Sequence, residues 1–397
     1  MAIRWLTAGE SHGRALVGII SGLPAGLPIS IDYINGQLLK RQQGFGRSDR
    51  QIIENDNAEI FSGIRHGETT GSPIAIIIEN RDYENWRDVM SVELPDPDSK
   101  SQNLQPILPR PGHVDLAGAL KWGLTDCRNA SERASGRTTA MTVAIGALCL
   151  AYLMEFGTFI GSRIISYGKL IIENNPVPPT REEIGNDPQN WIDNFGNISE
   201  KTELEIKKSI DEARKTGDTL GGSVRAVAAH VPPGLGSCSF PDERLDSNIA
   251  KAAMAIPGVK AVEIGSGIAQ SLMTGKDAHD PYSINVDPLN ITWFGRSSNL
   301  CGGIEGGISN GEPISVTVMI KPISTVNPPN PSIDLKTRKG VMPTGAVRSD
   351  ICAVEPIACV LEAALAIELA SAHRDKFAGD TFDEAKRAFD GFMKSIL

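Results

Sequence analysis

A degenerate internal repeat constrains the fold of this chain more than any other feature. Gly22-Leu-Pro-Ala-Gly-Leu27 is echoed by His230-Val-Pro-Pro-Gly-Leu235. Ser62-Gly-Ile-Arg-His-Gly-Glu68, followed by Pro73-Ile-Ala-Ile-Ile-Ile78, returns in the same order. Its echo is Gly306-Gly-Ile-Ser-Asn-Gly-Glu312, followed by Pro313-Ile-Ser-Val-Thr-Val318. Each Pro-Ile run is β-branched and bounded by turn residues, which predicts a strand. Each half then supplies a polar, arginine-containing segment and an apolar helix. Residues 133–139 lead into 140–156, and 348–350 lead into 356–372. Both helices are apolar on most faces and are expected to be buried. Glu362 and Glu368 interrupt the second and are expected on its least buried stripe. Two buried helices and two similar sets of strands predict an α+β fold. The expected form is a β-α-β sandwich with a pseudo-two-fold internal repeat, two antiparallel sheets around a central layer of buried helices. It would be a single domain over 1–397, with degenerate halves of roughly 1–205 and 206–397.

Composition narrows the function classes. A net charge of −9 argues against non-specific binding to nucleic acid or to a membrane surface. The six cysteines are scattered without a C-x-x-C pair, so neither a metal site nor a disulfide framework is expected. Met-Ala-Ile-Arg-Trp lacks the apolar core of a signal peptide, and the apolar stretch 140–154 is short for a bilayer span. The cytoplasm is the expected location. P-loop and Rossmann glycine patterns are missing, as is a nucleophile elbow in its strand–turn–helix context. Three segments read as peripheral. They are 82–103, a loop or flap; 174–201, an excursion with a short helix; and 325–344, rich in Pro and Lys and expected to be mobile.

Two runs set histidines between glycines and polar residues: G-E-S-H-G at Gly9 to Gly13 and R-P-G-H-V-D at Arg110 to Asp115. Such loops present an imidazole to a ligand, and histidine titrates where proton transfer at working pH needs it. Arginines gather near these loops: Arg41, Arg47, Arg110, Arg128, Arg133, Arg137 and Arg348. Arginine forks bind carboxylate and phosphate. Ser135, Gly136, Thr138 and Thr139 open the first buried helix, where small hydroxyl residues and backbone amides favour anions. Lys321-Pro-Ile-Ser-Thr325 follows a predicted strand and can hold phosphate or a polar ring edge. These residues point to an enzyme acting on an anionic small molecule, with histidines as its acid–base groups.

The chain resembles the chorismate synthase family over nearly its whole length. The matching runs include G-E-S-H-G, G-F-G-R, S-G-I-R-H-G, E-N-R-D-Y-E-N-W, R-P-G-H-V-D, E-R-A-S-G-R, G-D-T-L-G-G, K-P-I-S-T and R-S-D-I-C. The resemblance implies a lyase that converts 5-enolpyruvylshikimate 3-phosphate to chorismate. The reaction is a 1,4-anti elimination of phosphate and a ring proton, with reduced FMN required although there is no net redox change. It also implies a homotetramer. NADPH is a possible reductant, and an external flavin reductase is the partner if the enzyme does not reduce its own flavin.

By matching positions the resemblance gives His12, His113 and Asp350 as catalytic. His12 would protonate the departing phosphate, His113 would sit near the pyrimidine side of the flavin, and Asp350 would assist proton movement at flavin N5. Arg133, Ala134, Ser135, Pro257, Gly258, Gly306, Lys321, Pro322, Ile323, Ser324, Thr325 and Arg348 match the flavin site. Arg41, Arg47 and Arg137 match positions for substrate anion or NADP; no metal is implied. The chain departs from the family pattern at Thr138, Ala261, Leu300, Cys301 and Pro356. These departures leave room for a specialised paralogue that binds flavin or a shikimate-type anion. A flavin reductase using NAD(P)H is a further alternative.

Overall fold

The computed structural model describes residues 3–47, 55–94, 108–173, 177–284, 293–343 and 350–396. Four strands form the first sheet: β1 (Arg4–Ala8), β2 (Ala15–Ser21), β3 (Ala58–Ser62) and β4 (Ile74–Glu79), in the order β1-β2-β4-β3. Four more form the body of the second: β5 (Phe159–Tyr167), β6 (Gly222–Ala229), β7 (Val259–Ile264) and β8 (Ile314–Ile320). Their order is β5-β6-β8-β7, with the short strand Leu170–Ile171 added outside β5. All pairings within both sheets are antiparallel. The two orders are the same when each strand of the first sheet is matched to the strand four later.

Between the sheets lie α1 (Ile31–Gln42), α3 (Thr139–Met154), α4 (Leu245–Met254) and α5 (Val354–Lys376). A short helix, α2 (Arg128–Arg133), runs into α3 through one turn of 3-10 helix. By length and composition the helical run 128–154 could cross a membrane, but its apolar window is 72% buried inside the fold. One continuous core joins β2 and β4, the helices, and the inner faces of β6 and β8. The sequence pattern explains these layers. On β2, Leu16, Gly18 and Ile20 alternate inward while Ala15, Val17 and Ile19 face out, the period-2 signature of a half-buried strand. The two central helices carry no polar stripe because they are packed from both sides.

Side-chain hydrogen bonding repeats along with the strands. Thr69 Oγ1 accepts from Leu27 N at 2.9 Å and donates to Pro24 O at 2.5 Å. Ser309 Oγ accepts from Leu235 N at 2.8 Å and donates to Pro232 O at 2.7 Å. Thr70 N bonds Gly63 O, and Asn310 N bonds Gly303 O, each at 2.9 Å. These pairs fix the register of the repeat and correct the sequence alignment. The hairpin Ile64–Arg65/Glu68–Thr69 corresponds to Ile304–Glu305/Ile308–Ser309. The first echo is therefore shifted by four residues, Gly63 matching Gly303 rather than Gly307, while Pro73 matches Pro313 as the sequence suggested. The halves also meet earlier than expected. β5 already belongs to the second sheet, so the division falls in the turn after α3, near Gly157, rather than at 205/206.

Three further expectations change. Glu362 is not on an exposed stripe: it is 2% exposed, receives Lys40 Nζ at 2.7 Å and Ser162 Oγ at 2.5 Å, and so ties α1, β5 and α5 together. Glu368 is half-buried, and burial, opposed by Lys251, pushes its carboxyl up to about 7. Segment 325–344 contains a hairpin, Ser332–Asp334 with Lys339–Val341. Ser332 Oγ donates to Pro109 O at 2.5 Å and docks that hairpin on the loop before His113. The excursion 174–201, of which 177–201 is described, carries two short helices, Arg181–Ile184 and Pro188–Phe195. Trp191, Ile192 and Phe195 of the second pack on Val227 and Ala229 of β6.

The crossing of α3 and α5 depends on Gly146. A Cβ there would fall 2.4 Å from Ala363 Cβ and 2.6 Å from its Cα. The helices can separate only by opening the core on both sides. Gly146→Val is therefore expected to lose about 1–3 kcal/mol, the range for overpacking a well-filled core. Urea unfolding against the wild type checks this; an unchanged midpoint would mean the helices part freely.

Candidate active site

Both histidine loops and several of the arginine segments join in one hydrogen-bonded network centred on α2. Three consecutive residues of α2 reach three different segments. Ser131 Oγ accepts from Arg110 Nη2 at 2.5 Å. Glu132 holds the His12 loop. Arg133 Nη2 donates to Thr7 O at 3.0 Å and to Thr7 Oγ1 at 2.8 Å.

The loop at His12 is a tight turn, with Gly13 N bonded to Glu10 O at 3.3 Å and Ser11 N to Glu132 O at 3.2 Å. His12 N donates to Glu132 Oε2 at 2.7 Å, and the ring Nδ1 lies 2.9 and 3.0 Å from the two carboxylate oxygens. A proton on Nδ1 shared with that carboxylate fixes the tautomer and leaves Nε2 as the working nitrogen. Burial works against ionisation of Glu132, but hydrogen bonds and charge from His12, with Arg128, outweigh it. Glu132 therefore titrates below the usual carboxylate range and stays anionic near neutrality. Trp86 lies against the imidazole with centroids 4.2 Å apart and the rings tilted by 36°. The segment expected as a peripheral flap thus carries a ring onto a proposed catalytic residue.

The second loop repeats this logic. His113 Nδ1 lies 2.5 Å from Asp115 Oδ1, and Arg110 Nε donates to Asp115 Oδ2 at 2.8 Å. Burial raises the Asp115 pKa, but hydrogen bonds from His113 and Arg110 prevail and hold it far below the usual range. Both histidine side chains keep 20% exposure while their carboxylates are at most 5% exposed. Each ring is therefore anchored at one nitrogen and accessible beyond it.

Proposed flavin residues assemble beside the second loop. Lys321 Nζ donates to Gly112 O at 2.7 Å, and Lys321 N donates to Gly258 O at 2.9 Å, which brings Pro257 and Gly258 alongside. Ile323 O accepts from Thr219 Oγ1 at 2.6 Å. Burial, then the charge of Lys260, pulls the Lys321 ammonium below the usual lysine range. Ser135 Oγ donates to Ser11 Oγ at 3.1 Å, and Ala134 closes α2 by bonding Ala130 O. Gly306 lies in the turn of the second hairpin at φ +60°. Among the described residues no hydrogen bond joins it to this cluster. Arg348 lies outside the described residues.

Arg47 Nη1 pairs with Asp350 Oδ2 at 2.8 Å, supported by Ile351 N bonded to Gly46 O at 2.8 Å. Arg41 and Arg137 are buried around Asp56. Arg41 Nη1 lies 3.5 Å from Asp56 Oδ2, and Arg137 Nη1 binds Oδ1. Arg41 also donates to Thr139 Oγ1 at 3.0 Å and to Gly136 O at 2.9 Å. Burial, opposed by Asp56 and reinforced by Arg137 and Arg47, pushes Arg41 down to about 10. Thr138 and Thr139 hydroxyls donate back to the Ser135 and Gly136 carbonyls. The start of α3 is thus occupied by its own side chains and by Arg41, contrary to the expected open anion site. Asn80 connects this group to the first loop. It accepts from Arg137 Nε at 2.9 Å and donates to Gly13 O at 2.7 Å.

Sequence reasoning had not singled out Glu132, Asp115, Asp56, Asn80 or Trp86. Glu132 and Asp115 stand inside runs already quoted, and a loop histidine needs an orienting acceptor, so their signal was present. Asn80 and Trp86 also stand inside a quoted run, E-N-R-D-Y-E-N-W, but nothing local says what they face, and Asp56 lies in a polar stretch outside those runs.

The comparisons agree with the fold and with these runs. A sequence model described as chorismate synthase matches residues 3–373. The chorismate synthase of Aquifex aeolicus (strain VF5) is 43% identical over 409 residues, covering 99% of this chain and 98% of the relative. That of Solibacter usitatus (strain Ellin6076) is 41% identical over 394 residues, covering 99% of each. A crystal structure of chorismate synthase matches with a TM-score of 0.76 at 35% identity, covering 100% of this chain and 98% of that one. With near-complete coverage in sequence and in fold, the chain belongs to the chorismate synthase family.

Proposed function

We propose that the protein converts 5-enolpyruvylshikimate 3-phosphate to chorismate and phosphate by a 1,4-anti elimination that requires reduced FMN. One observation carries this reading: two partly exposed histidines, each anchored at Nδ1 by a buried carboxylate, stand in one network with Arg133 and Lys321, while Arg47 pairs with Asp350. The elimination breaks a C–O bond to phosphate and removes one ring proton, with no net redox change. It therefore needs proton handling at two positions and cations for phosphate and carboxylates.

The residues present fit a reduced flavin. Gly112 has φ +80°, and a Cβ there would stand 3.4 Å from Ser324 Cβ and 3.6 Å from Lys321 Nζ. A glycine there suits the positive φ and keeps the backbone close to the Ser324 and Lys321 side chains. Arg133, Lys321 and the Ser135 and Thr325 hydroxyls offer donors for a phosphate and a ring carbonyl, with Ala134, Pro257, Gly258, Pro322, Ile323 and Ser324 supplying backbone. Gly306 and Arg348 complete the proposed set. When bound, the reduced flavin supplies electron density to the ring that is losing phosphate and accepts the ring proton.

The protein's own residues then divide the work. His12 Nε2 gives a proton or a strong hydrogen bond to the departing phosphate oxygen, and Glu132 keeps the ring so directed. His113, oriented by Asp115, holds a proton at the pyrimidine side of the flavin, and Asp350 assists the proton at N5. Arg47 meets the substrate anion or a nicotinamide nucleotide, while Arg41 and Arg137 build the buried positive wall behind it. The exposed apolar outer face of the first sheet, with Leu6, Ile19 and Phe61, supports assembly as a homotetramer, and a cytoplasmic location suits a reduced cofactor. Sedimentation velocity checks the assembly.

Anaerobic assay with dithionite-reduced FMN tests the reaction: chorismate and phosphate should appear in equal amounts. Retained flavin binding without chorismate would instead mark a non-catalytic paralogue. Repeating the assay with NADPH and oxidised FMN decides between self-reduction and an external reductase. Arg47→Ala is expected to weaken substrate binding by about 1.5–3 kcal/mol, the range for hydrogen bonds to charged groups. Titration calorimetry with the reduced flavoprotein checks it; unchanged affinity removes Arg47 from the substrate site.

A further inference from the structure

We propose that Trp86 is a positioning residue for His12, clamping the imidazole between an indole face and the Glu132 carboxylate so that Nε2 alone serves the substrate. This rests on the elimination proposed above. The start of its segment is fixed to the histidine loop itself, because Asn80 Nδ2 donates to both Gly13 O and Glu10 O. Tyr83 N bonds Asn80 O at 3.1 Å and opens the short helix Tyr83–Trp86. Trp86 Nε1 donates to Asp82 Oδ2 at 3.1 Å, which sets the indole plane.

That plane meets His12 at a 4.2 Å centroid separation and a 36° tilt. The Arg128 guanidinium lies 5.1 Å from the indole centroid and 3.6 Å from Glu132 Oε1. His12, Glu132, Arg128 and Trp86 therefore form a closed circuit of four side chains. A ring held only through Nδ1 can pivot about that hydrogen bond; an indole face packed against it restricts the pivot. Small misplacements of a reacting group cost large factors in rate. The charged groups in contact with the ring and its indole neighbour are Glu132 and Arg128 from α2 and Asp82 behind the indole, with Glu10 against Gly13 of the same loop.

The test uses the intact enzyme with prereduced FMN. Trp86→Ala is expected to lower kcat by about 10–100-fold, with substrate KM and flavin retention little changed. Trp86→Phe keeps a stacked face and should recover most of the loss. The limb of the pH–rate profile set by His12 should move in Trp86→Ala and stay in place in Trp86→Phe. A second readout needs no turnover. Protonated imidazole quenches a stacked indole, so the emission of wild type minus Trp86→Phe should follow one proton titration that His12→Asn abolishes. Wild-type kcat and pH profile in Trp86→Ala overturn the proposal, as does an emission titration that His12→Asn leaves unchanged. If the wild type forms no chorismate, the elimination is what fails, and the emission titration still decides whether Trp86 holds His12.

Discussion

Replacing His12 by alanine is expected to cut turnover with prereduced FMN by about 10²–10⁴, the usual loss for a missing proton donor. The departing phosphate must take a proton or a strong hydrogen bond as its C–O bond breaks. His12 is suited to give it because Glu132 holds the residue at two points, the ring Nδ1 and the backbone N–H, and leaves Nε2 unengaged by that carboxylate. Flavin and substrate should stay bound, since neither Arg47 nor Lys321 contacts His12. His113→Ala should behave differently: slower turnover together with a changed absorbance of the reduced flavin in the ternary complex. Glu132→Gln separates orientation from proton supply, keeping the ring in place while weakening its partner, and should fall between wild type and His12→Ala. Stopped-flow absorbance under nitrogen checks all three. Near wild-type turnover in both histidine variants would end the two-histidine mechanism. A changed flavin spectrum in both would assign both rings to the cofactor.

The second large effect is on stability. Asp56→Ala is expected to destabilise the protein by about 3–5 kcal/mol, the cost of removing one partner from a buried ion pair. Asp56 is the shared carboxylate of Arg41 and Arg137, both almost fully buried. Without it two guanidinium groups face each other in a buried site, with Thr139, Gly136 and Asn80 among their polar neighbours. Asn80 would then lose its fixed donor, and with it the tether between this group and the His12 loop. Urea unfolding followed by far-ultraviolet circular dichroism measures the loss, and a change below about 1 kcal/mol would mean that water reaches the pair.

Much of this architecture was legible in the sequence, for a physical reason. The strands β4 and β8 carry Pro-Ile starts and β-branched interiors, and α3 and α5 are apolar on most faces, so period and burial named the layers directly. The echo of Pro-Gly turns identified the repeat because those turns have little conformational choice. Register was harder. Around Gly63 and Gly303 several glycines are interchangeable to the eye, and the hydrogen bonds of Thr69, Thr70, Ser309 and Asn310 show which align. Glu362 was misread because one carboxylate in an apolar helix looks the same whether it faces water or a buried lysine. The anion site expected at Thr138 and Thr139 failed through local competition: short hydroxyl side chains satisfied their own carbonyls first. Trp86 and Asp56 were invisible as site residues because their partners lie in other segments, and no local pattern encodes an encounter across the fold.

The tight crossing of Gly146 against Ala363 has a consequence for the birth of the chain. The two central helices are mutual partners, yet α5 is made roughly 200 residues after α3; at about 5–20 residues per second the delay is roughly 10–40 s. Throughout that interval the ribosome-bound half carries an apolar rod with one side uncovered, next to a sheet whose strands are already complete. A non-local contact of this kind also slows closure of the finished chain. Production in the cell should therefore respond to the supply of holdase chaperones more steeply than the stability of the mature protein would suggest. Truncation anywhere before α5 should give insoluble product rather than a folded half.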